Sequence, residues 1–268
     1  MKLLIFADIH GKMPKIPKGI AYDAVLFVGD LGDDSKIRPL INKSFQLGVS
    51  WEELVRPAKK NKLLRELVAS GKAMSKKLSS LKKTVYCIPG NWDMTLREIS
   101  KKSKKNYEQT YLYKNMTNCD KKLIDVGPCC IIGYGNTSSP EYPQTKQAIS
   151  QYTLSQIKKI VQRYVKTYTR MEKLMERAQK KQKPIILLTH NVPYKTPFDK
   201  IVTPAKKTIR VGSQIVKKLI TLYQPKMVIC GHIHETKGNR RMKQTLCINT
   251  GLQNIMLLDT ETWTVTQL

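Results

Sequence analysis

Two histidines, His232 and His234, follow directly on an apolar run that ends at Cys230. In extended backbone, side chains two residues apart point to the same side, so both imidazoles can reach one point. Gly231, just before them, gives the chain the freedom to turn sharply at the end of a strand. Imidazole is the commonest metal ligand in proteins, but it is also common in surface loops. Taken alone, the pair fits a metal site and two surface histidines equally well.

Four other apolar runs also end in side chains that bind divalent cations. Their candidate ligands are Asp8 with His10, then Asp30, Asn91 and His190. The chain has four histidines, and every one of them lies at such a run end. Because ligand sites in α/β sheets lie beyond the carboxyl ends of the strands, we expect these groups to meet in one crevice. The chemistry predicted there is that of a divalent metal site.

The elements that must position these groups are short strands separated by amphipathic helices. Apolar runs predict strands at 2–7, 22–28, 84–89, 123–126, 129–134, 185–188, 227–230, 246–249 and 255–268, the last broken by a turn at 259–262. Apolar residues at spacings of three and four predict helix over about 35–83, over 153–181 and from Ser213 to before Pro225. We interpret the apolar stripe of the second helix as core packing. This alternation of strands and helices predicts an α/β fold.

The charge balance is unusual, with 48 Lys and Arg against 20 Asp and Glu, a formal net charge of +28. Thermophile surfaces are also rich in lysine, but they carry matching glutamates that this chain lacks. The excess favours a polyanionic partner such as nucleic acid. A lysine-rich soluble surface is the alternative, because the basic residues are spread from Lys59 to Lys243 rather than gathered in one tail.

The start of the chain and its cysteines indicate in which cellular compartment the protein is expected. Met1 leads straight into a short apolar run, too short for a secretion signal or a membrane span. We therefore expect a cytoplasmic protein without a membrane partner. The six cysteines form no C-x-x-C pair, so they are predicted to be buried, reduced thiols. Disulfides of the kind found inside hyperthermophiles are the alternative.

The order of the motifs resembles that of the calcineurin-like metallophosphoesterase superfamily, specifically its small prokaryotic phosphoesterase branch. The motifs are Asp8-x-His10, Gly29-Asp30, Gly90-Asn91-x-Asp93, His190 and Gly231-His232-x-His234. The resemblance implies an α/β fold of two sheets, an α/β/β/α sandwich. It implies one domain over 1–268, with helical insertions at about 36–83 and 151–182.

The resemblance also implies a phosphoesterase with two divalent metal ions. One metal would bind Asp8, His10 and His234, and the other Asn91, His190 and His232, with Asp30 bridging; Asp30, Asn91 and His190 are the implied catalytic residues. Manganese is the expected metal, with iron, zinc, nickel or cobalt as alternatives. Two metals roughly 3.5 to 4 Å apart would acidify a shared water into the hydroxide that attacks a phosphate ester in line.

Two departures from the family pattern bear on function. The family usually has a histidine, assigned to the leaving group, where this chain has Trp92, and indole cannot act as a general acid near neutral pH. Trp92 is interpreted either as a packed aromatic or as a surface on which a base or sugar stacks. Asp93 is expected to orient the loop or a ligand through a hydrogen bond. The segment after Asp30 lacks the arginine of the protein Ser/Thr phosphatases, which argues against that activity.

The substrate is expected to be a phosphodiester or a nucleotide, because the surface is basic. The long segment 192–211 is the expected substrate-contacting loop, and the candidate contacts are Trp92, Lys206, Lys207 and Arg210. Two alternatives stay open: a phosphomonoesterase acting on a small metabolite, and a nucleic-acid-binding protein with a structural or weakly active metal site. The oligomeric state does not follow from the sequence.

Overall fold

The structure is a computed structural model that describes residues 1–99, 103–203 and 208–268. Its strands are β1 (Lys2–Phe6), β2 (Ala24–Phe27), β3 (Thr84–Cys87), β4 (Met116–Asn118), β5 (Leu123–Asp125), β6 (Cys130–Tyr134), β7 (Ile185–Thr189), β8 (Lys200–Val202), β9 (Thr208–Arg210), β10 (Met227–Cys230), β11 (Gly238–Met242), β12 (Thr245–Asn249), β13 (Ile255–Asp259) and β14 (Thr264–Gln267). Its α-helices are α1 (Arg38–Leu47), α2 (Pro57–Ser79), α3 (Leu96–Ile99), α4 (Tyr107–Tyr111), α5 (Lys146–Ile149), α6 (Leu154–Gln179) and α7 (Gln214–Tyr223).

The strands form two six-stranded sheets and a small hairpin. The first sheet has the order β14-β13-β1-β2-β3-β4, and the second has the order β11-β12-β10-β7-β6-β5. The strands β1 to β4 are parallel to one another, and so are β6, β7, β10 and β12. Strands β8 and β9 pair with each other as an antiparallel hairpin. The carboxyl ends of the parallel strands are therefore the ends that can carry a shared site.

The central strands are apolar on both faces because both faces are covered. On β1, Leu3 and Ile5 point into the layer between the sheets, while Leu4 and Phe6 point to the opposite face. The layer between the sheets also takes side chains from β7, β10 and β13. Continuous apolar strands of this kind are typical of parallel sheets buried on both sides.

Helices cover the two outer faces. α2 and α4 pack on the outer face of the first sheet, and α6 and α7 pack on the outer face of the second. The result is the four-layer α/β/β/α sandwich that the motif order predicts, and that prediction is confirmed. None of the helices in the described ranges combines the length and the apolar run that a bilayer span requires.

The helical segment predicted over about 36–83 is divided. α1 ends at Gly48, which has the left-handed φ of 68° that glycine adopts without strain. A short 3₁₀ turn, Trp51–Leu54, follows, and α2 then begins at Pro57. Proline suits the first helical position because its missing N–H needs no partner there. The break makes α1 and α2 two separate helices.

The apolar stripe of α6 is buried mainly over its second half, which corrects the interpretation of the whole stripe as core. Tyr168, Met171, Leu174, Met175 and Ala178 are buried. In the first half, Leu154 is 81% exposed, and Val161 and Val165 are about half exposed. A helix that extends past the sheet has no layer to pack against, and the periodicity of the sequence cannot show where the sheet ends.

The segment 192–211, predicted as a loop, contains structure of its own. A 3₁₀ turn at Pro197–Asp199 leads into the β8–β9 hairpin. Strands β4 and β11 were not predicted either, and β11 is a polar edge strand with the sequence GNRRM. Polar edge strands lack the apolar run on which strand prediction depends.

Candidate metal centre

Strands from both sheets deliver the candidate ligands to one place. Asp8 and His10 follow β1, Asp30 follows β2, and Asn91 follows β3 in the first sheet. His190, which follows β7, and the pair after β10 come from the second sheet. Backbone hydrogen bonds tie these loops together, with Asp8 N donating to Gly29 O and His10 N donating to Asp30 O. The ligand positions therefore depend on both sheets.

The backbone is strained where the ligands lie. Asp8, His10, Asp30 and His232 all have left-handed φ values, of 49°, 39°, 64° and 68°. Non-glycine residues in this region cost of order 1–3 kcal/mol each and persist only where their surroundings fix them. Such strain concentrates at functional sites, because it aims side chains that a relaxed strand end would point elsewhere.

Two glycines are required by close approach to the candidate ligands. A Cβ at Gly231 would collide with Oδ2 of Asp8, and a Cβ at Gly90 would collide with Oδ1 and the backbone N of Asp30. The glycines in the Gly231-His232 and Gly90-Asn91 motifs thus leave room for carboxylates. This close packing explains why a glycine stands directly before His232 and directly before Asn91.

Asp8, His10 and His234 form one ligand group. Their ligand atoms all lie within 4.8 Å of one another. Nε2 of His234 lies 3.6 Å from Oδ1 of Asp8, and Nε2 of His10 lies 4.0 Å from the same oxygen. These separations are those of side chains that surround a common point rather than bond to one another directly.

A second group joins Asp8 and Asp30 to His190. Oδ2 of Asp30 lies 3.4 Å from Nε2 of His190 and 3.6 Å from Nε2 of His10. Oδ1 of Asn91 lies 2.8 Å from Nε2 of His190. One oxygen of Asp30 therefore lies near one histidine of each group.

The histidine tautomers follow from backbone contacts. Nδ1 of His190 lies 2.9 Å from the carbonyl oxygen of Val28. Since a carbonyl only accepts, Nδ1 carries a proton, so Nε2 is the nitrogen that a cation in the site would bind. Nε2 of His232 lies 3.0 Å from the carbonyl oxygen of Ser138, which leaves Nδ1 as the lone-pair nitrogen of that ring. The His232 and His190 rings are neighbours, with centroids 5.2 Å apart.

Buried negative charge dominates the electrostatics. Asp8, Asp30, Asp34 and Asp93 are all buried. Burial lowers the pKa of His190, but the charge of Asp30, its hydrogen bond to the ring and the charge of Asp8 together raise that pKa to about 9. Burial, followed by the charge of Asp30, raises the pKa of Asp93 to about 6. Carboxylates so close together need positive charge between them.

The residues present fit a divalent cation. Among the described residues, Oδ1 of Asp8 and Nε2 of His10 are buried and have no hydrogen-bond partner. Buried polar atoms without partners are rare, and each needs an explanation. Carboxylate, imidazole and amide donors suit a hard or borderline divalent cation such as Mn²⁺, Fe²⁺ or Zn²⁺. A cation would give both atoms a partner and offset the buried charge.

A family model described as calcineurin-like phosphoesterase matches residues 1–236. The chain belongs to this family. It is therefore a metal-dependent phosphoesterase, as the motif order predicts.

Related proteins extend the similarity over the whole phosphoesterase. An uncharacterized protein of Methanocaldococcus jannaschii is 22% identical over 265 residues, which cover 97% of this chain and 93% of that protein. One solved chain superimposes with a TM-score of 0.63 at 14% identity, covering 100% of this chain and 98% of its own. A dimetal phosphatase from Danio rerio superimposes with a TM-score of 0.50 at 10% identity, covering 96% and 92%. The two structural matches support the fold.

The third motif of the phosphoesterase is held by Asp93. Its carboxylate accepts hydrogen bonds from the backbone N–H groups of Gly90 (2.8 Å), Asp30 (2.9 Å) and Leu31 (2.7 Å). It thus fastens the loop after β3 to the loop after β2. The prediction that Asp93 orients this loop is confirmed.

Trp92 occupies both environments that the sequence left open. Its indole packs against the cluster of Ile37, Leu63, Leu64 and Leu67, under α1 and α2. It also lines the cleft above the ligand groups. Its backbone N donates to Oδ1 of Asp30 over 2.8 Å.

The other predicted substrate contacts are not brought together by the described structure. The Arg210 guanidinium donates to the buried carboxylate of Asp199 and to the carbonyl oxygen of Thr196. Lys206 and Lys207 lie outside the described residues. A role of these three in binding substrate stays a prediction.

Sequence reasoning missed two residues, Asp34 and Arg38. Oδ1 of Asp34 lies 3.1 Å from Nδ1 of His10, and Nη2 of Arg38 donates to both Asp34 oxygens over 3.1 and 2.8 Å. Asp34 lies before α1, which begins at Arg38, so their spacing of four residues does not place them on one helical face. The sequence could not show that this pair reaches back to His10.

Proposed function

We propose that this phosphoesterase is binuclear and hydrolyses phosphate esters, with phosphodiesters or nucleotides as its preferred substrates. The observation that carries the proposal is the position of Asp30, whose Oδ2 lies within 3.6 Å of Nε2 of both His10 and His190. A carboxylate placed between two ligand sets can hold two cations and reduce their mutual repulsion.

The chain's own residues supply the coordination geometry. Asp8, His10 and His234 would hold one cation, and Asn91, His190 and His232 the other, with Asp30 between them. Asp8 lies within reach of both described groups, so it also stands beside the second site. When bound, two divalent cations would lower the pKa of a shared water and neutralise the phosphoryl oxygens.

Protonation of the leaving group is the remaining step, and this protein has Trp92 where the family usually has a histidine for it. Indole cannot donate a proton to a leaving alkoxide near neutral pH. The leaving group would therefore be a weak base, take its proton from water or from another side chain, or bind to a metal ion. The carbonyl oxygen of Val28 fixes the His190 ring through Nδ1, so Nε2 would be the nitrogen that binds a cation.

Turnover of two reporters tests the proposal. Purified protein given Mn²⁺ should hydrolyse bis(p-nitrophenyl) phosphate and p-nitrophenyl phosphate, and EDTA should stop both reactions. Faster turnover of the diester supports the preferred substrate class, whereas a preference for the monoester supports a phosphomonoesterase acting on a small metabolite. No turnover with Mn²⁺, Fe²⁺, Zn²⁺, Ni²⁺ or Co²⁺ would refute the proposal.

Asp30→Asn should abolish activity, with a loss of at least about 100-fold, because the amide cannot supply a second anionic oxygen between the cations. Asp33→Asn is the matched control, since the exposed Asp33 carboxylate accepts one hydrogen bond from the backbone of Ser35 and is in neither ligand group. Elemental analysis of both variants should show less metal in the first alone. Full activity in Asp30→Asn would show that the bridging assignment is wrong.

A further inference from the structure

One face of α1 forms a wall of the cleft above the ligand groups. Arg38, Ile41, Asn42 and Phe45 all line this cleft, and their spacing of three and four places them on one side of the helix. The cleft has a volume of about 810 Å³, within the usual range for sites that bind small molecules.

The face changes in character along α1. At its start, Arg38 lies beside the ligand groups, because Asp34 contacts both its guanidinium and His10. In the described part of the chain, this guanidinium donates its hydrogen bonds to Asp34 through Nη2, and its side chain is 44% exposed. Farther along, Ile41 and Phe45 are apolar, and Phe45 is 57% exposed. The wall therefore changes from cationic to apolar with distance from the metal ligands.

The β8–β9 hairpin adds a second apolar part to the lining of this cleft. This part is formed by Ile201, Val202 and Ile209. Val202 is 71% exposed and Ile209 is 38% exposed. Exposed apolar side chains that line one cleft mark a site where a ligand excludes water.

We propose that this cleft binds a phosphate ester that carries an aromatic ring. Arg38 binds the phosphate beside the metal ligands, and the ring lies between Phe45 on α1 and Ile209 on the hairpin. The inference rests on the proposed function and names its substrate class. A polynucleotide is disfavoured, because the exposed carboxylate of Glu235 also lines the cleft and would repel a second phosphate.

Non-hydrolysable ligands test the aromatic site without turnover. Calorimetry on the Mn²⁺-loaded full chain should show that phenylphosphonate binds about 10-fold more tightly than methylphosphonate, as expected for burial of one ring. Phe45→Ala should remove most of this difference. Leu47→Ala is the matched control, because Leu47 is 56% exposed on the same helix and does not line the cleft, so it should change nothing.

Arg38→Gln should weaken both phosphonates by a similar factor, about 10-fold, because both carry the same anionic group. Arg65→Gln, an exposed arginine on α2 outside the cleft lining, is its control. The metal content of Arg38→Gln, measured by elemental analysis, should equal that of the wild type. A loss of metal would show that Arg38 acts through Asp34 and His10, which overturns its role in binding phosphate.

A second ligand pair, AMP and ribose 5-phosphate, identifies the kind of ring. Tighter binding of AMP assigns the cleft to nucleoside esters, and tighter binding of phenylphosphonate alone assigns it to simple aryl esters; either supports the inference. Equal affinities within both pairs would overturn the inference and leave the proposed function intact. Failure of all four ligands to bind, together with no turnover, would overturn both.

Discussion

At the scale of single residues, Asp93 has the clearest structural role. It accepts hydrogen bonds from three buried backbone N–H groups, those of Gly90, Asp30 and Leu31. Each buried donor left without a partner costs about 1–3 kcal/mol. Asp93→Ala should therefore lower the free energy of unfolding by roughly 3 kcal/mol or more, measured by urea denaturation.

Asp23→Ala is the control for Asp93. Its carboxylate also accepts a backbone hydrogen bond, from the N–H of Lys2 over 2.7 Å, but at an exposed site. Water can replace that acceptor, so the loss should stay below about 1 kcal/mol. Equal losses in the two variants would contradict the role given to Asp93.

Trp92 is the residue whose replacement should change the chemistry. Trp92→His introduces a side chain that can protonate a leaving group, and positioned acids contribute typically 10²–10⁴-fold. Hydrolysis of alkyl phosphate esters should rise at least about 10-fold, while hydrolysis of p-nitrophenyl phosphate should change little, because its leaving group needs no proton. Trp92→Phe keeps the aromatic packing without the acid and should show no such gain. The same ratio of rates in both variants would show that a missing acid does not limit catalysis.

The candidate ligands were predictable from the sequence because each one directly follows an apolar run. Asp8, Asp30 and His190 show this relation, and the fold brings strand ends together whatever the intervening chain does. Asp34 and Arg38 were not predictable in the same way. Their position depends on the orientation of α1 relative to the end of β2, and the sequence alone does not specify that orientation.

At the scale of elements, the junction between β10 and the site should tolerate no side chain at Gly231. A Cβ there would collide with the Asp8 carboxylate, so Gly231→Ala should displace Asp8 and lower Mn²⁺ affinity by about 10-fold or more, a range known for substitutions beside metal ligands. Far-UV circular dichroism should stay unchanged, because the sheets do not depend on this contact. Mn²⁺ titration by calorimetry measures the affinity.

Gly127→Ala is the control for Gly231→Ala, because it strains the backbone without a steric collision. Gly127 has a left-handed φ of 93° with open space around it, so alanine there strains the backbone without touching a ligand. It should lower stability by about 1 kcal/mol and leave Mn²⁺ affinity unchanged. Unchanged affinity in Gly231→Ala as well would mean that Asp8 is not held against this glycine.

Element boundaries show where prediction from sequence stops. The buried strands were predicted to within a few residues, because both of their faces are apolar and no polar residue interrupts them. The division of α1 from α2 was missed, since Gly48 and Pro57 lie in a stretch whose apolar spacing continues on both sides. Periodicity reports which face of a helix is apolar, and it does not report whether another layer covers that face.

At the scale of the whole molecule, the net charge of +28 is partly organised by α6. Basic side chains recur along its exposed face at alternating spacings of four and three: Lys159, Arg163, Lys166, Arg170, Lys173 and Arg177. A cationic stripe of this length can follow a row of phosphates. This stripe belongs to a surface that the proposed chemistry does not use.

We therefore predict that the protein binds duplex DNA without sequence preference at low salt. The logarithm of the affinity should fall linearly with the logarithm of the salt concentration, by about 0.9 per phosphate contact. Changing Lys159, Arg163, Lys166 and Arg170 to glutamate should reduce that slope, measured by fluorescence anisotropy. A variant with the slope of the wild type would show that the charge acts diffusely, as it would on a lysine-rich soluble surface.

Incubation of the bound DNA with Mn²⁺ distinguishes DNA binding by α6 from hydrolysis at the metal centre. If the cleft takes a single aromatic ester, bound DNA should stay intact while p-nitrophenyl esters are hydrolysed by the same sample. DNA cleavage that EDTA stops would instead mean that the stripe on α6 delivers polymer to the metal centre, and would contradict the exclusion of a second phosphate by Glu235. One sample thus tests both DNA binding, which depends on the salt concentration, and phosphoester hydrolysis, which depends on the metal.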